Sequence, residues 1–451
     1  MLLSFRVSNH RSIREEQQLN LNPVYEDDRP VGTDWAAVPV AGIFGANASG
    51  KTNLLDALQY MAHMVVSSHR DAEPDGGISR HPFLLDDAAR DEPSWYIADL
   101  LLDGVRYTYG FAVDDTRVTE EWLDSYPMGK KRQLFSRGDD RVKPGASQDT
   151  RELELVESIT EPNVLFLSLA ARSRQRDFRP VYDWFAHHLQ FRRANDTRSY
   201  ALSAMRALED ADRYPEIMLL LRAADLGIEG CGTERLVMDE ETLRRQYGSR
   251  RIPSRLLREL EDEGPRELLR PWVGHRGRNG MVQLDLHDES AGTQALLQQA
   301  PRFLSVLRRG GTFVVDEIDA SLHSVLTARL IGLFQQPETN PNGAQLLFTS
   351  HDPSLLGRRD GEDILKRDQV WFVEKDSFGE SSLYSLADFK PRKDENRERR
   401  YLGGSYGGVP FIDESFTEAL LRRGGGATGQ DTEAQRQART GTDSETASSR
   451  H

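Results

Sequence analysis

The chain of 451 residues is long enough for one large core or two smaller ones, and its first ten residues, MLLSFRVSNH, place Arg6 where a secretory leader needs apolar residues. No apolar run of about 18 residues follows, so the expectation is a cytoplasmic protein with no membrane partner. A formal charge of -14 opposes unassisted binding to nucleic acid, and Cys231, the single cysteine, excludes an internal disulfide or a cysteine-bound metal cluster.

In chain order, LLSFRVSNHRSI alternates apolar and polar residues as a half-buried strand does, and VPVAGIF is a second strand leading into a glycine-rich loop. From Asn53 to Val66, Leu54, Leu55, Leu58, Met61, Met64 and Val65 recur at spacings of three and four, which predicts a helix with one buried face. WYIADLLL and VRYTYGFAV read as strands joined by Asp103-Gly104, a dipeptide suited to a tight hairpin. Between about Ser168 and Arg276 strand signals are rare and charged residues alternate with Leu, Met and Ala, which predicts an inserted helical lobe. Its heptads never persist for three or four repeats, so no long coiled-coil arm is expected. VQLDL then brings the chain back to the core, ahead of a helix from Gly292 to Leu307 that Pro301 should kink. TFVVDEI, QLLFTSH and the pair QVWFVEKD and SSLYSL supply the last strands. From Gly424 onward the chain is rich in Gly, Thr, Ser and charge, as disordered tails are.

The expected organisation is an α/β head in two parts, 1–165 and 280–412, with a helical insertion at 166–279 and a terminal segment at 413–451. Two basic stretches are candidate nucleic-acid patches or plain solvated faces: Arg244, Arg245, Arg250, Arg251, Arg255 and Arg258, and the run from Lys390 to Arg400.

The chemistry concentrates in a few short strings. GANASGKT, Gly45 to Thr52, fits G-x-x-x-x-G-K-[ST] in full, between an apolar strand and an amphipathic helix. Such a loop, here carrying Gly45, Asn47 and Gly50, cradles phosphates with its N–H groups and the helix dipole. Lys51 would reach the β- and γ-phosphates of ATP, and Thr52 would ligate Mg²⁺. TFVVDEI delivers two carboxylates to the end of a buried strand. Asp316 there would hold Mg²⁺ directly or through water, and Glu317 would take the proton of an attacking water. Asp319 and His351 follow apolar strands closely enough to reach the same place. DESAGTQ, Asp288 to Gln294, opens a helix that Ser290 can cap, and Gly292 lets a phosphate approach the backbone.

This ordered set resembles the ABC-type ATPases, more narrowly the SMC, RecF and OLD group, and within it the stand-alone prokaryotic AAA-type ATPases of the RloA kind found beside restriction and abortive-infection genes. FRVSNHRSI, YTYGF, ESAGTQ, DEIDASLH, TSHD and YLGGSYGGVPFI carry the likeness. The resemblance implies an ABC-type P-loop NTPase head with a mixed sheet. It also implies two ATPs sandwiched between two heads, so that the chain's first partner is itself, as a homodimer or higher homo-oligomer. Ser290, Ala291 and Gly292 then take the places of the signature's serine and two glycines, and Arg11 approaches the nucleotide. The sequence departs from the group at Glu289 for leucine, Ala291 for the first glycine, Thr293 for the terminal glutamine and Ser324 for a proline, and no residue is assigned to the Q-loop glutamine. The implied activity is ATP hydrolysis that switches a separate effector, a nuclease or toxin, in defence against phage or foreign DNA. The rival reading is an SMC- or RecF-like DNA-repair or chromosome-maintenance ATPase.

Overall fold

The computed structural model describes residues 1–409 apart from 30–31, 34, 139–140, 147, 193–214, 224–226, 248–251 and 253–263. The chain begins with β1 (Leu2–Ser8), β2 (Gln17–Asn20) and β3 (Val40–Phe44), followed by the helix Lys51–Asp71. Next come β4 (Ser94–Leu102), β5 (Val105–Val113), β6 (Val118–Tyr126), β7 (Arg132–Gly138) and β8 (Arg141–Pro144). With β1 and β2 they form an antiparallel sheet in the order β2-β1-β4-β5-β6-β7-β8. Asp103 and Gly104 adopt φ of 49° and 75° between β4 and β5, the left-handed pair that a two-residue hairpin matched to strand twist requires. β1 is more deeply covered than its alternation predicts, with Leu2, Leu3, Ser4, Phe5 and Val7 all buried. It is paired along both edges, by β2 and β4, and the helix Lys51–Asp71 packs on it. The predicted face of that helix, Leu54 to Val65, is buried.

This sheet holds a buried ion pair. Glu121 on β6 is fully buried and accepts hydrogen bonds from the Tyr109 hydroxyl and from the backbone N–H groups of Phe166 and Leu167, while Arg137 on β7 lies 3.7 Å away. Burial pushes the Glu121 carboxyl above its ordinary value, and Arg137 opposes the rise. Replacing Glu121 by Ala should cost about 3–5 kcal/mol, because it strands a buried guanidinium and leaves two amides without their acceptor. The midpoint of urea unfolding checks this, and an unchanged midpoint would show that the pair contributes nothing.

The second half of the chain contributes β9 (Leu189–Arg192), β10 (Ile228–Met238), β11 (Arg266–Gly277), β12 (Gly280–Asp285), the helix Ala291–Arg309, β13 (Thr312–Val315), the helix Ser324–Gln335 and β14 (Gln345–Thr349). Two short strands, β15 (Arg358–Arg359) and β16 (Glu362–Asp363), precede the hairpin β17 (Val370–Lys375) and β18 (Ser381–Ser385). A mixed sheet in the order β18-β17-β3-β14-β13-β9 results, parallel throughout except for β18. β3, β13 and β14 are buried along their whole length, as parallel strands covered on both faces are. Pro301 lies inside the helix Ala291–Arg309. Residues Met1–Gly408 form one compact unit.

The insertion differs from the expected helical lobe. Its described residues include the helices Pro215–Ala223 and Glu240–Tyr247, but its main feature is an antiparallel sheet of β10, β11 and β12. The period-two signal is blurred for two reasons. Gly230, Gly232 and Gly274 make room for the Trp272 ring and the Met281 side chain, and Pro271 interrupts β11. In addition, Val237, Met281, Val282 and Leu284 remain exposed, so apolar residues do not mark a single buried face. VQLDL therefore belongs to this outer sheet, and the chain re-enters the core only at Leu286. Arg250, Arg251, Arg255 and Arg258, residues 201–214 of the expected helix and the tail lie outside the described residues.

Candidate functional site

In a parallel sheet the carboxyl ends of the strands share one edge, and the loops that follow them meet there. After β3 comes the loop Gly45 to Gly50, after β13 come Asp316 and Glu317, and after β14 come Ser350 and His351. The loop is shaped by close packing. A Cβ on Gly45 would collide with the Val373 carbonyl of β17, and one on Gly50, at φ 109°, would collide with the Ser381 hydroxyl. Ser381 also donates to the Ser49 carbonyl at 2.6 Å and accepts from the Ser12 hydroxyl at 2.7 Å, and Asn53 donates to Ser12 at 2.6 Å. The hairpin β17–β18 and the segment after β1 thus support the loop from behind.

Lys51 is 5 % exposed and folds back over the loop, donating to the carbonyls of Gly45 at 2.8 Å and Ala46 at 3.0 Å, with His351 Nδ1 at 3.4 Å. Burial lowers its pKa to about 8, although Asp316, Glu317 and Asp319 favour the charged form. The Thr52 hydroxyl lies 3.1 and 3.2 Å from the two oxygens of Asp316. The carboxylate is fixed from its other side by Thr349, whose hydroxyl donates to it at 2.7 Å and accepts the Glu317 N–H at 2.7 Å. Glu317 adopts φ 53°, a left-handed conformation uncommon outside glycine and one that functional sites tend to retain. Its carboxylate is 3.9 Å from His351 Nε2, and Asp319 accepts the His351 backbone N–H at 3.4 Å. Lys51, Thr52, Asp316, Glu317, Asp319 and His351 therefore converge on one edge of one sheet.

Arg11, expected to approach the nucleotide, engages a carboxylate at the border of this edge. It adopts φ 53° and its Nε contacts Asp56 at 2.5 Å, one helical turn beyond Thr52. His10 reaches the same Asp56 oxygen at 3.1 Å and the Tyr96 hydroxyl at 2.9 Å. Burial alone would raise the Asp56 carboxyl, but the hydrogen bonds from His10 and Arg11 outweigh it and hold the group well below the usual carboxylate range. Asp56 lines a small cleft with Thr52, Gln59, Arg192 and Asp316, so Arg11 stands beside the site through its partner.

Ser290 and Gly292 lie at the N-terminus of the helix Ala291–Arg309. Ser290 caps it, accepting the Thr293 N–H at 3.1 Å, with the Thr293 hydroxyl 2.9 Å away. Gly292 abuts the Ser321 carbonyl, which a Cβ would meet at 2.8 Å. Glu289 takes a hydrogen bond from His275 of β11 at 2.6 Å, tying the inserted sheet to this helix start. Among the described residues no hydrogen bond or ion pair joins Ser290 or Gly292 to the 45–52 loop of the same chain. The helix start presents Ser290 to solvent.

The acidic strand lies beside a hydroxyl that motif reading passed over. Thr349 in FTSH positions both Asp316 and Glu317, and the signal available was a polar residue closing a strand paired directly with β13. Ser12, Ser49 and Ser381 were missed because single serines carry no pattern. Of the second basic stretch, the exposed Lys393 and Arg400 pair with Asp27 and Glu395 as a solvated face does, whereas Arg397 is buried and pairs with Asp363.

Among the described residues no group of three or more His, Cys, Asp or Glu could hold a metal ion, and the Thr52 hydroxyl and the Asp316 carboxylate are two hard oxygens side by side. Such a pair suits a hard divalent cation that draws its other ligands from phosphate and water. No helix among the described residues is long and apolar enough to cross a membrane.

The model of the family described as "AAA domain, putative AbiEii toxin, Type IV TA system" matches residues 40–357, from β3 through His351. No curated protein matches the chain. Among solved structures, the SMC head domain from Thermotoga maritima is 14% identical, with 85% of this chain and 98% of that chain covered at a TM-score of 0.39. The Smc head domain of Pyrococcus furiosus, with an extended coiled coil and bound to the C-terminal domain of ScpA, is also 14% identical, with 86% and 97% covered at a TM-score of 0.36.

Proposed function

We propose, for a chain that belongs to the AAA-domain family described as putative AbiEii toxin of type IV toxin–antitoxin systems, that two copies close on two ATP molecules, hydrolyse them, and so switch a separate effector nuclease or toxin in defence against phage or foreign DNA. The observation that carries the reading is the convergence of Lys51, Thr52, Asp316 and Glu317 at the end of a parallel sheet, with Ser290 exposed on another element. Defence is supported by the family description alone, since a fold does not name its partner.

In this reading the loop N–H groups and Lys51 bind the phosphates, and Lys51 exchanges its present carbonyl partners for phosphate oxygens. Thr52 and Asp316 are the residues that would hold Mg²⁺, whose contribution when bound is to neutralise charge on the phosphate oxygens. Glu317 takes the proton of the attacking water, and its backbone N–H, anchored on Thr349, keeps the carboxylate beside His351. Ser290 and the N-terminus of its helix meet the phosphate held by the other copy, supplying the donors that one chain alone leaves out.

The test is ATP-driven self-association, followed by light scattering. Mass should double with ATP and Mg²⁺ in the parent and stay monomeric in Lys51→Ala, and a parent that remains monomeric at saturating ATP contradicts the reading. The ATP midpoint should also depend on pH. With its pKa near 8 in the nucleotide-free protein, Lys51 is charged below that pH and loses its proton above it. Phosphate favours the charged form, so affinity should be flat below pH 8 and then fall by up to about tenfold per pH unit. The stability of the free fold runs the other way. Between pH 8 and the ordinary lysine value of 10.5 the unfolded chain binds more protons, so this group makes the free fold more stable as pH rises.

A further inference from the structure

The segment Tyr401 to Gly408, at the end of the head, lies against the start of the phosphate-binding loop. Its helix, Arg397–Leu402, is anchored by the buried Arg397, which donates to the Leu365 carbonyl at 2.8 Å and pairs with Asp363 at 2.6 Å. The Tyr401 ring stacks on Phe372 of β17 with centroids 5.4 Å apart and planes 17° from parallel, and it meets Phe44 edge-on at 6.4 Å. Tyr406 stacks on the same Phe372 at 5.6 Å. Phe44 is the last residue of β3, and Gly45 follows it directly. The Tyr401 hydroxyl donates to the Gly408 carbonyl at 3.1 Å. A Cβ on Gly408 would sit 3.6 Å from the Gly45 Cα, so the segment touches the loop itself.

These contacts form a short relay. The hydroxyl of Tyr401 holds Gly408, Gly408 abuts Gly45, and the Gly45 carbonyl accepts from the Lys51 ammonium at 2.8 Å. Ring and hydroxyl do different work. The ring fills the space between Phe44 and Phe372 and is 7 % exposed, which is packing. The hydroxyl fixes the Gly408 carbonyl, and with it the end of the strap that lies against Gly45.

We propose that Tyr401 is a positioning residue for nucleotide binding: its hydroxyl, bonded to the Gly408 carbonyl, holds the strap 401–408 against Gly45 at the start of the loop that carries Lys51, and the strap works as part of the ATP pocket. The proposal rests on the 45–52 loop being an ATP site. A single hydrogen bond of this kind accounts for a factor of about 5–10 in binding.

The experiment measures the Kd of a fluorescent ATP analogue for the full-length chain, with thermal unfolding as a second readout. Tyr401→Phe keeps the stacked ring and should weaken the analogue by about 5–10-fold while turnover at saturating ATP stays near the parent's, so that KM moves and kcat does not. Tyr406→Phe is the control. Its ring stacks on the same Phe372, but its hydroxyl donates to Glu395 at 3.0 Å, so it should shift the unfolding midpoint and leave the Kd unchanged. Parent-like affinity in a folded Tyr401→Phe overturns the proposal, and so does equal weakening by both variants, which would mark a general packing effect. Failure of the underlying site shows separately, as Lys51→Ala binding the analogue like the parent.

Discussion

Replacing Glu317 by Gln is expected to slow ATP turnover by about 10²–10⁴-fold while leaving ATP bound and the pair of chains closed on it. The amide keeps the shape of the side chain and removes the base. In the proposed reading the phosphate and metal residues are Lys51, Thr52 and Asp316, none of which is altered, and Asp316 keeps its hydrogen bond from Thr349. The backbone at Glu317 is held in its left-handed conformation by the Thr349 hydroxyl, which accepts the main-chain N–H and is indifferent to the side chain. The variant should therefore separate binding from chemistry, with a dimer that persists on a sizing column long after the parent has turned over its ATP. A Glu317→Gln protein that hydrolyses ATP at the parental rate would remove Glu317 from the chemistry.

The second large effect comes from mixing two damaged chains. Lys51→Ala lacks a phosphate ligand, and Ser290→Arg places a bulky side chain at the helix start that faces the other copy's nucleotide, so each homodimer should be inactive. In a mixed dimer both substitutions fall on the same interface, the loop change from one chain and the helix-start change from the other, and the second interface is intact. One working site of two is then restored in every mixed dimer. With random assortment about half of the dimers are mixed, so turnover should recover to about a quarter of the parent's, from none in either variant alone. The geometry supports this test because Ser290 bonds to Thr293 of its own helix and is exposed. Complete inactivity despite proven exchange of chains would show that each site is built within a single chain.

Much of the site was legible in the sequence, for a physical reason. Phosphate cradles and metal-binding carboxylates need fixed residue types at fixed offsets from strand ends, so GANASGKT and VVDE announce both the chemistry and the local fold, and the structure brings Lys51, Thr52, Asp316 and His351 to one edge. Residues that act through packing leave no such mark. Thr349, Ser381 and Tyr401 matter because of what lies opposite them across the sheet or along the strap, at sequence separations of 33 for Thr349–Asp316 and 369 for Ser381–Ser12. The inserted sheet was hidden for another reason. Its alternation is broken by glycines that accommodate Trp272 and by apolar residues left in solvent, so periodicity pointed to helix where β10, β11 and β12 run antiparallel.

The hydrogen bond between His275 and Glu289 fastens the inserted sheet to the helix start that carries Ser290, and not to the loop that carries Lys51. In a pair of chains closed on ATP, that gives each insertion its say over the neighbour's nucleotide instead of its own. A damaged insertion on one side should then leave its own pocket sound while silencing the one opposite. Under the proposed reading, such crossed wiring would make the dimer, and not the chain, the smallest unit able to respond.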